Sequence, residues 1–272
     1  MICAESEAHG AQINRLVNTA YFCIIDSLAN IFILYPVSCI LKGKKRRNGE
    51  TDLENLEGFL AYSLREIPYV AITLMIAFTF HEFAHAYVAY KFGDHTAQKQ
   101  GRLTLNPLKH LDPFGTILIF IAGFGWARPV PVNRFFFKKP RLAGILVSVA
   151  GPLSNLILAA IGFFTAFGLA RTGLALNLPG IFEFLEIFNW LNLVLFVFNL
   201  LPFPPLDGYR ILEDLAPNDI RAKMTQFEQY GVLIFLILVI TPLDRYTIQP
   251  IFQFIIPGIW EGLNNFFYQL FF

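Results

Sequence analysis

Charge is scarce in this chain. Of 272 residues only 15% are Asp, Glu, Lys or Arg, whereas 55% are hydrophobic. A soluble domain of this size needs more charge to cover its surface, so the surplus of apolar side chains calls for lipid as solvent. Neither sign of charge predominates. The formal net charge of +1 gives no basis for a nucleic-acid partner. Cysteine is scarce too: Cys3, Cys23 and Cys39 are the three in the chain, all within the first 40 residues. Their spacing fits no zinc or redox motif and cannot complete a disulfide framework, so they read as free thiols or packing residues. No basic n-region precedes a short apolar stretch and a small-residue site, so no cleavable signal peptide is expected. Heptads and internal repeats are also lacking.

What the chain has in quantity is phenylalanine, 30 residues of it, and long apolar blocks. A spanning helix needs about 20 mostly apolar residues. Pro68–Tyr90, Leu142–Ala170 and Ile181–Leu201 meet that length, the second with no charged residue inside. Gly231–Leu243 is apolar but short. Residues 16–41 form a further candidate weakened by Asp26, Asn30 and Pro36. In the tail, Ile248–Phe272, Pro257 and Gly258 interrupt the run, which predicts a segment lying in the interface or dipping inward. Ile117–Trp126 is too short to span and suits a strand pair or a re-entrant segment buried in protein. The expected fold is an all-α polytopic membrane protein forming one membrane domain.

The loops suggest orientation. Lys91, Lys99, Arg102 and Lys109, then Arg128, Arg134, Lys138, Lys139 and Arg141, stand against the single Asp94, whereas 171–180 carries only Arg171. The positive-inside rule puts 91–141 in the cytoplasm and 171–180 outside. The cluster Lys42, Lys44, Lys45, Arg46 and Arg47 should also be cytoplasmic, which conflicts with a single crossing by 16–41. The N-terminal topology stays open.

One apolar block carries chemistry. His81-Glu82-Phe83-Ala84-His85 is an HExxH pattern. On a helix, positions i and i+4 share a face, so both imidazoles can reach one ion. Glu82, rotated by about 100°, stands beside the metal, where it can take a proton from water and return it to a leaving amine. Three ionisable groups at the end of an apolar run are costly without a purpose. A catalytic zinc takes three protein ligands and one open position. Candidates for the third are His95, His110, Asp94, Asp112 and Asp207. The histidines read as loop residues in a basic stretch. Asp207 follows Leu200-Leu201-Pro202-Phe203-Pro204-Pro205-Leu206, where prolines end an apolar helix and Gly208 permits a tight turn, at the same membrane level as His85. Asn155 can donate to a developing oxyanion or make a helix–helix hydrogen bond. A transporter using the same polar residues, and a non-catalytic scaffold, are the rival classes. Glu82 separates the first from hydrolysis, and four intact reactive residues argue against the second.

HEFAHAYVAYKFGD, GRLTLNPLKHLDPFGT, GWARPVPVN, AGPLSN and NLLPFPPLDG together resemble the site-2 protease family of intramembrane zinc metalloproteases, over roughly residues 67–215. The resemblance implies His81, His85 and Asp207 as ligands of one zinc ion, and Glu82 as catalytic acid/base. It implies Asn155, closing a GxxxN element from Gly151, as close to the substrate or the oxyanion. It also implies a three-helix core at 67–215; an N-terminal extension at 1–66 and membrane-associated helices at 216–272 are expected on either side of it. The partners it implies are the bilayer and a membrane-protein or peptide substrate, with the oligomeric state left open. The interval from Arg171 to Gly180 leaves no room for an inserted PDZ domain, which matches the family's compact branch.

Overall fold

The computed structural model describes residues 60–122, 125–172 and 179–272. The candidate span 16–41, the basic cluster 42–47 and the three cysteines fall outside the described residues. In chain order the helices are α1 (Ile67–Lys91), α2 (Thr96–Lys99), α3 (Pro113–Ala122), α4 (Pro140–Arg171), α5 (Pro179–Asn199), α6 (Asp207–Leu215), α7 (Asn218–Glu228), α8 (Gly231–Ile240), α9 (Asp244–Thr247) and α10 (Gln249–Phe271). Short 3₁₀ turns lie at Pro107–Lys109 and Arg134–Phe136.

The chain is an all-α membrane protein. Three helices are long and apolar enough to cross a bilayer, Ile67–Lys91, Pro140–Arg171 and Gly180–Asn199, in agreement with the three long runs read from sequence. At 1.5 Å per residue, even the shortest covers roughly 30 Å, the thickness of a hydrocarbon core. α4 packs against both α1 and α5, which also touch each other. Its contact face is built from small residues, among them Ala143, Gly144, Gly151 and Ala159, which let the neighbouring backbones approach. The core between the helices is aliphatic and aromatic, with Val70, Leu74, Phe163, Leu191, Leu193 and Val197 at its centre.

Two expectations change. The tail is not interrupted at Pro257: α10 runs unbroken through it. Proline in a helix interior costs about 3 kcal/mol, but Phe252, Ile256, Trp260 and Phe267 bury themselves on this helix. Their packing against neighbouring helices holds the helix continuous through the proline. Trp260 and Phe267 pack on Phe163 of α4, with Trp260 also against Trp190 of α5. Of the two forms expected for the apolar segment before Trp126, a strand pair or a re-entrant segment, the strand pair is ruled out: the segment is a helix, α3. Among the described residues a single antiparallel bridge, Leu111 with Ala127, joins the chain on either side of it.

Candidate metal centre

α1 carries the HExxH residues in its last turns, before the chain leaves the helix at Phe92 and Gly93. Glu82 and both histidines are buried. His81 Nε2 and His85 Nε2 stand 3.0 Å apart. The Asp207 carboxylate reaches them from a different part of the chain, with Oδ2 3.3 Å from His81 Nε2 and 3.2 Å from His85 Nε2. These three residues are the one group of metal-ligand type among the described residues.

Hydrogen bonds on the far side of each ring fix what this convergence means. His81 Nδ1 faces Asn155 Oδ1 at 2.8 Å, and His85 Nδ1 faces the Val147 carbonyl at 2.7 Å. Both partners are acceptors, so each Nδ1 carries the proton and each Nε2 presents a lone pair. The third atom, Asp207 Oδ2, is buried without a hydrogen-bond donor. Three acceptor atoms facing one another repel unless a cation sits among them. With ligand bonds of about 2.0–2.1 Å, a tetrahedral zinc site has donor–donor edges of about 3.3 Å. The three observed separations match that edge, so the residues present fit zinc.

Local sequence explains how three elements meet. Gly151 of α4 faces the imidazoles so closely that a Cβ there would lie 2.3 Å from His85 Nε2 and 2.7 Å from His81 Cε1. Gly151→Ala is therefore expected to weaken zinc binding by about 10–100-fold, the usual scale for disturbing groups around a metal's ligands. Competition with a chromogenic chelator measures this, and an unchanged affinity would show that the rings accommodate a methyl group. Asp207 opens α6, and Gly208 beside it permits a close approach rather than the expected tight turn: its Cβ would lie 2.2 Å from the Leu200 carbonyl at the end of α5. At the other end of α6 the fully buried Asp214 binds Arg134 at 2.7 Å and Arg221 at 3.2 Å. This ties the Asp207 helix to the loop before α4 and to α7.

Glu82 lies outside the donor group. Its Oε2 accepts from the Val130 N–H at 2.7 Å. Asn155 is fully buried, and its amide is committed on both ends: Oδ1 to His81, and Nδ2 donating to Asn192 Oδ1 at 3.1 Å. Asn192, itself buried, donates to the Phe188 carbonyl. Of the remaining candidates, His95 is exposed and faces Gln98, and His110 is buried with Nε2 on the Thr104 carbonyl. Asp94 accepts from Thr96 and from the Asn133 N–H, and Asp112 caps the start of α3 through the Gly115 N–H. None of these four enters the donor group. The sequence reading missed Val130, Val147 and Asn192. Asn192 could have been flagged as an amide inside a membrane run; backbone donors and acceptors leave no signal.

An all-helical membrane protein with an HExxH pair and a distant carboxylate facing it is, as a class, a membrane zinc metalloprotease. The Peptidase family M50 model matches residues 69–178 and 174–241, and the chain belongs to that family, the site-2 protease family. Relatives named "Putative zinc metalloprotease" include YwhC of Bacillus subtilis (strain 168), 65% identical over 200 residues that cover 72% of this chain and 90% of the relative. Rip2 of Mycolicibacterium smegmatis is 31% identical over 206 residues, 71% of this chain and 78% of its own. MJ0611 of Methanocaldococcus jannaschii is 34% identical over 137 residues, half of this chain and 64% of its own. No solved structure matches significantly. Zinc is the cofactor that this membership brings, and the donor set accommodates it.

Proposed function

We propose that this zinc metalloprotease is an intramembrane endopeptidase, hydrolysing peptide bonds of membrane-protein substrates at or within the bilayer. The observation that carries the reading is the convergence of His81 Nε2, His85 Nε2 and Asp207 Oδ2 with Glu82 alongside, at the end of a helix long enough to cross a bilayer. In this reading His81, His85 and Asp207 hold the metal. Zinc, when bound, polarises the scissile carbonyl and lowers the pKa of water to about 7. Glu82 accepts the proton of the attacking water and passes it to the leaving amine, while the Val130 N–H keeps the carboxylate aimed. Asn155 acts through His81: its Oδ1 fixes the ring's tautomer and rotation, and Asn192 fixes Asn155 in turn. That role takes the place of an oxyanion donor, because both ends of the amide are engaged.

A substrate helix hides its carbonyls in its own hydrogen bonds and must unwind before attack. The test is cleavage in proteoliposomes. A quenched-fluorescent single-span peptide embedded in the vesicle should be cut, 1,10-phenanthroline should stop the reaction, and zinc should restore it. Cleavage of soluble peptides alone, with the embedded one untouched, would sink the intramembrane reading.

Residues 91–141, and with them the centre, are proposed to face the cytoplasm on the strength of their basic excess. Lys99 and Lys138 are exposed. Cysteine placed at either should react only with reagents that cross the membrane, and labelling by an impermeant reagent from outside would reverse the orientation of the core.

A further inference from the structure

Arg102 belongs to the basic stretch after α1, yet only 6% of its surface is exposed. A buried guanidinium is costly unless a negative group offsets it. Among the described residues no Asp or Glu forms a direct ion pair with it. Its Nη2 donates to the Arg128 carbonyl at 2.6 Å, and its Nε has no hydrogen-bond partner. The backbone of residue 128 is held at both of its polar groups, because its N–H donates to the His110 carbonyl at 2.8 Å.

Pro129 separates this residue from Val130, whose N–H binds Glu82. Arg128 and Val130 each precede a proline, which disfavours helical backbone and holds the segment extended. In extended backbone the carbonyl of one residue and the N–H two residues on point to the same side. The Arg128 carbonyl and the Val130 N–H therefore form one edge. The Arg102 guanidinium meets that edge at one group and the Glu82 carboxylate at the other. Burial pushes the guanidinium's pKa below its ordinary value, the Glu82 charge acts the opposite way, and Arg128 adds to the lowering.

We propose that Arg102 is a positioning residue for hydrolysis: it pins the Arg128–Val130 edge that aims Glu82, and it supplies the buried countercharge for that carboxylate. The donor fixes where the Val130 N–H points. The charge offsets that of Glu82 where little water reaches to do so. This rests on Glu82 being the proton acceptor, and the experiment separates the two ideas.

Arg102→Lys keeps the charge and Arg102→Gln keeps a donor without it. Both are compared with wild type and Glu82→Gln in the full chain, using a quenched-fluorescent single-span peptide as probe. Zinc content and thermal unfolding are measured on each preparation. Arg102→Gln is expected to keep its zinc and its KM while kcat falls about 10–100-fold, with much of the loss recovered in Arg102→Lys. Equal kcat in the two variants overturns the proposal. So does a loss in Arg102→Gln that appears as missing zinc, a raised KM or a chain too unstable to purify, since each makes Arg102 a structural residue. A Glu82→Gln chain that still cleaves would sink the underlying reading of Glu82 instead.

Discussion

Glu82→Gln is expected to retain about one zinc per chain and to lose cleavage by at least about 10²–10⁴-fold, the usual contribution of general acid–base catalysis. The structure supplies the reason to expect an intact site. The carboxylate accepts from the Val130 N–H, and a carboxamide oxygen accepts the same bond in the same place. The substitution thus removes the base without changing the shape that holds it. It also leaves the three converging ligand atoms untouched, because Glu82 is not among them. Cleavage rate and zinc content in one preparation decide the matter. Near-normal cleavage with full zinc would reject Glu82 as the proton acceptor. Loss of both together would make it a ligand or a structural residue. Bound zinc with lost cleavage is also the outcome that separates hydrolysis from metal transport, since a transporter has no need of a base at this position.

His85→Ala should lose the metal, taking occupancy from about one ion per chain to near zero and activity with it, because three protein ligands are the usual minimum for a catalytic zinc. The two imidazole nitrogens and the carboxylate oxygen face one another at 3.0–3.3 Å, so loss of one imidazole opens the donor group. Added zinc should raise the unfolding temperature of the wild type alone, since a ligand stabilises only the form that binds it. Full zinc occupancy in purified His85→Ala would remove His85 from the ligand set. An equal zinc-induced shift in both proteins would place the bound metal elsewhere.

The chemistry was legible to an unusual depth because part of it is local. His81 and His85 lie one helical turn apart, and the helix period alone puts them on one face with Glu82 beside them. The three long spans were equally plain, since the bilayer imposes a length and an apolarity that any window of sequence reveals. Elsewhere, local signals gave way to packing. Pro257 marks a break by propensity, yet the helix continues, with the aromatics of α10 packed on the neighbouring helix. Arg102 counts as a cytoplasmic charge in the loop tally, whereas the fold withdraws it beneath residues 128–130.

By itself, then, the sequence determined the membrane class, the zinc-type motif and the short list from which the third ligand came. Tertiary structure decided how that list is used. It brought Asp207 to the imidazoles and turned Asn155 toward His81. It set the Val130 N–H against Glu82 and placed Gly151 where no side chain fits. Each of these depends on separate helices approaching within hydrogen-bond distance. No repeat or period along a chain records that approach, because it arises from the packing of surfaces that are far apart in sequence.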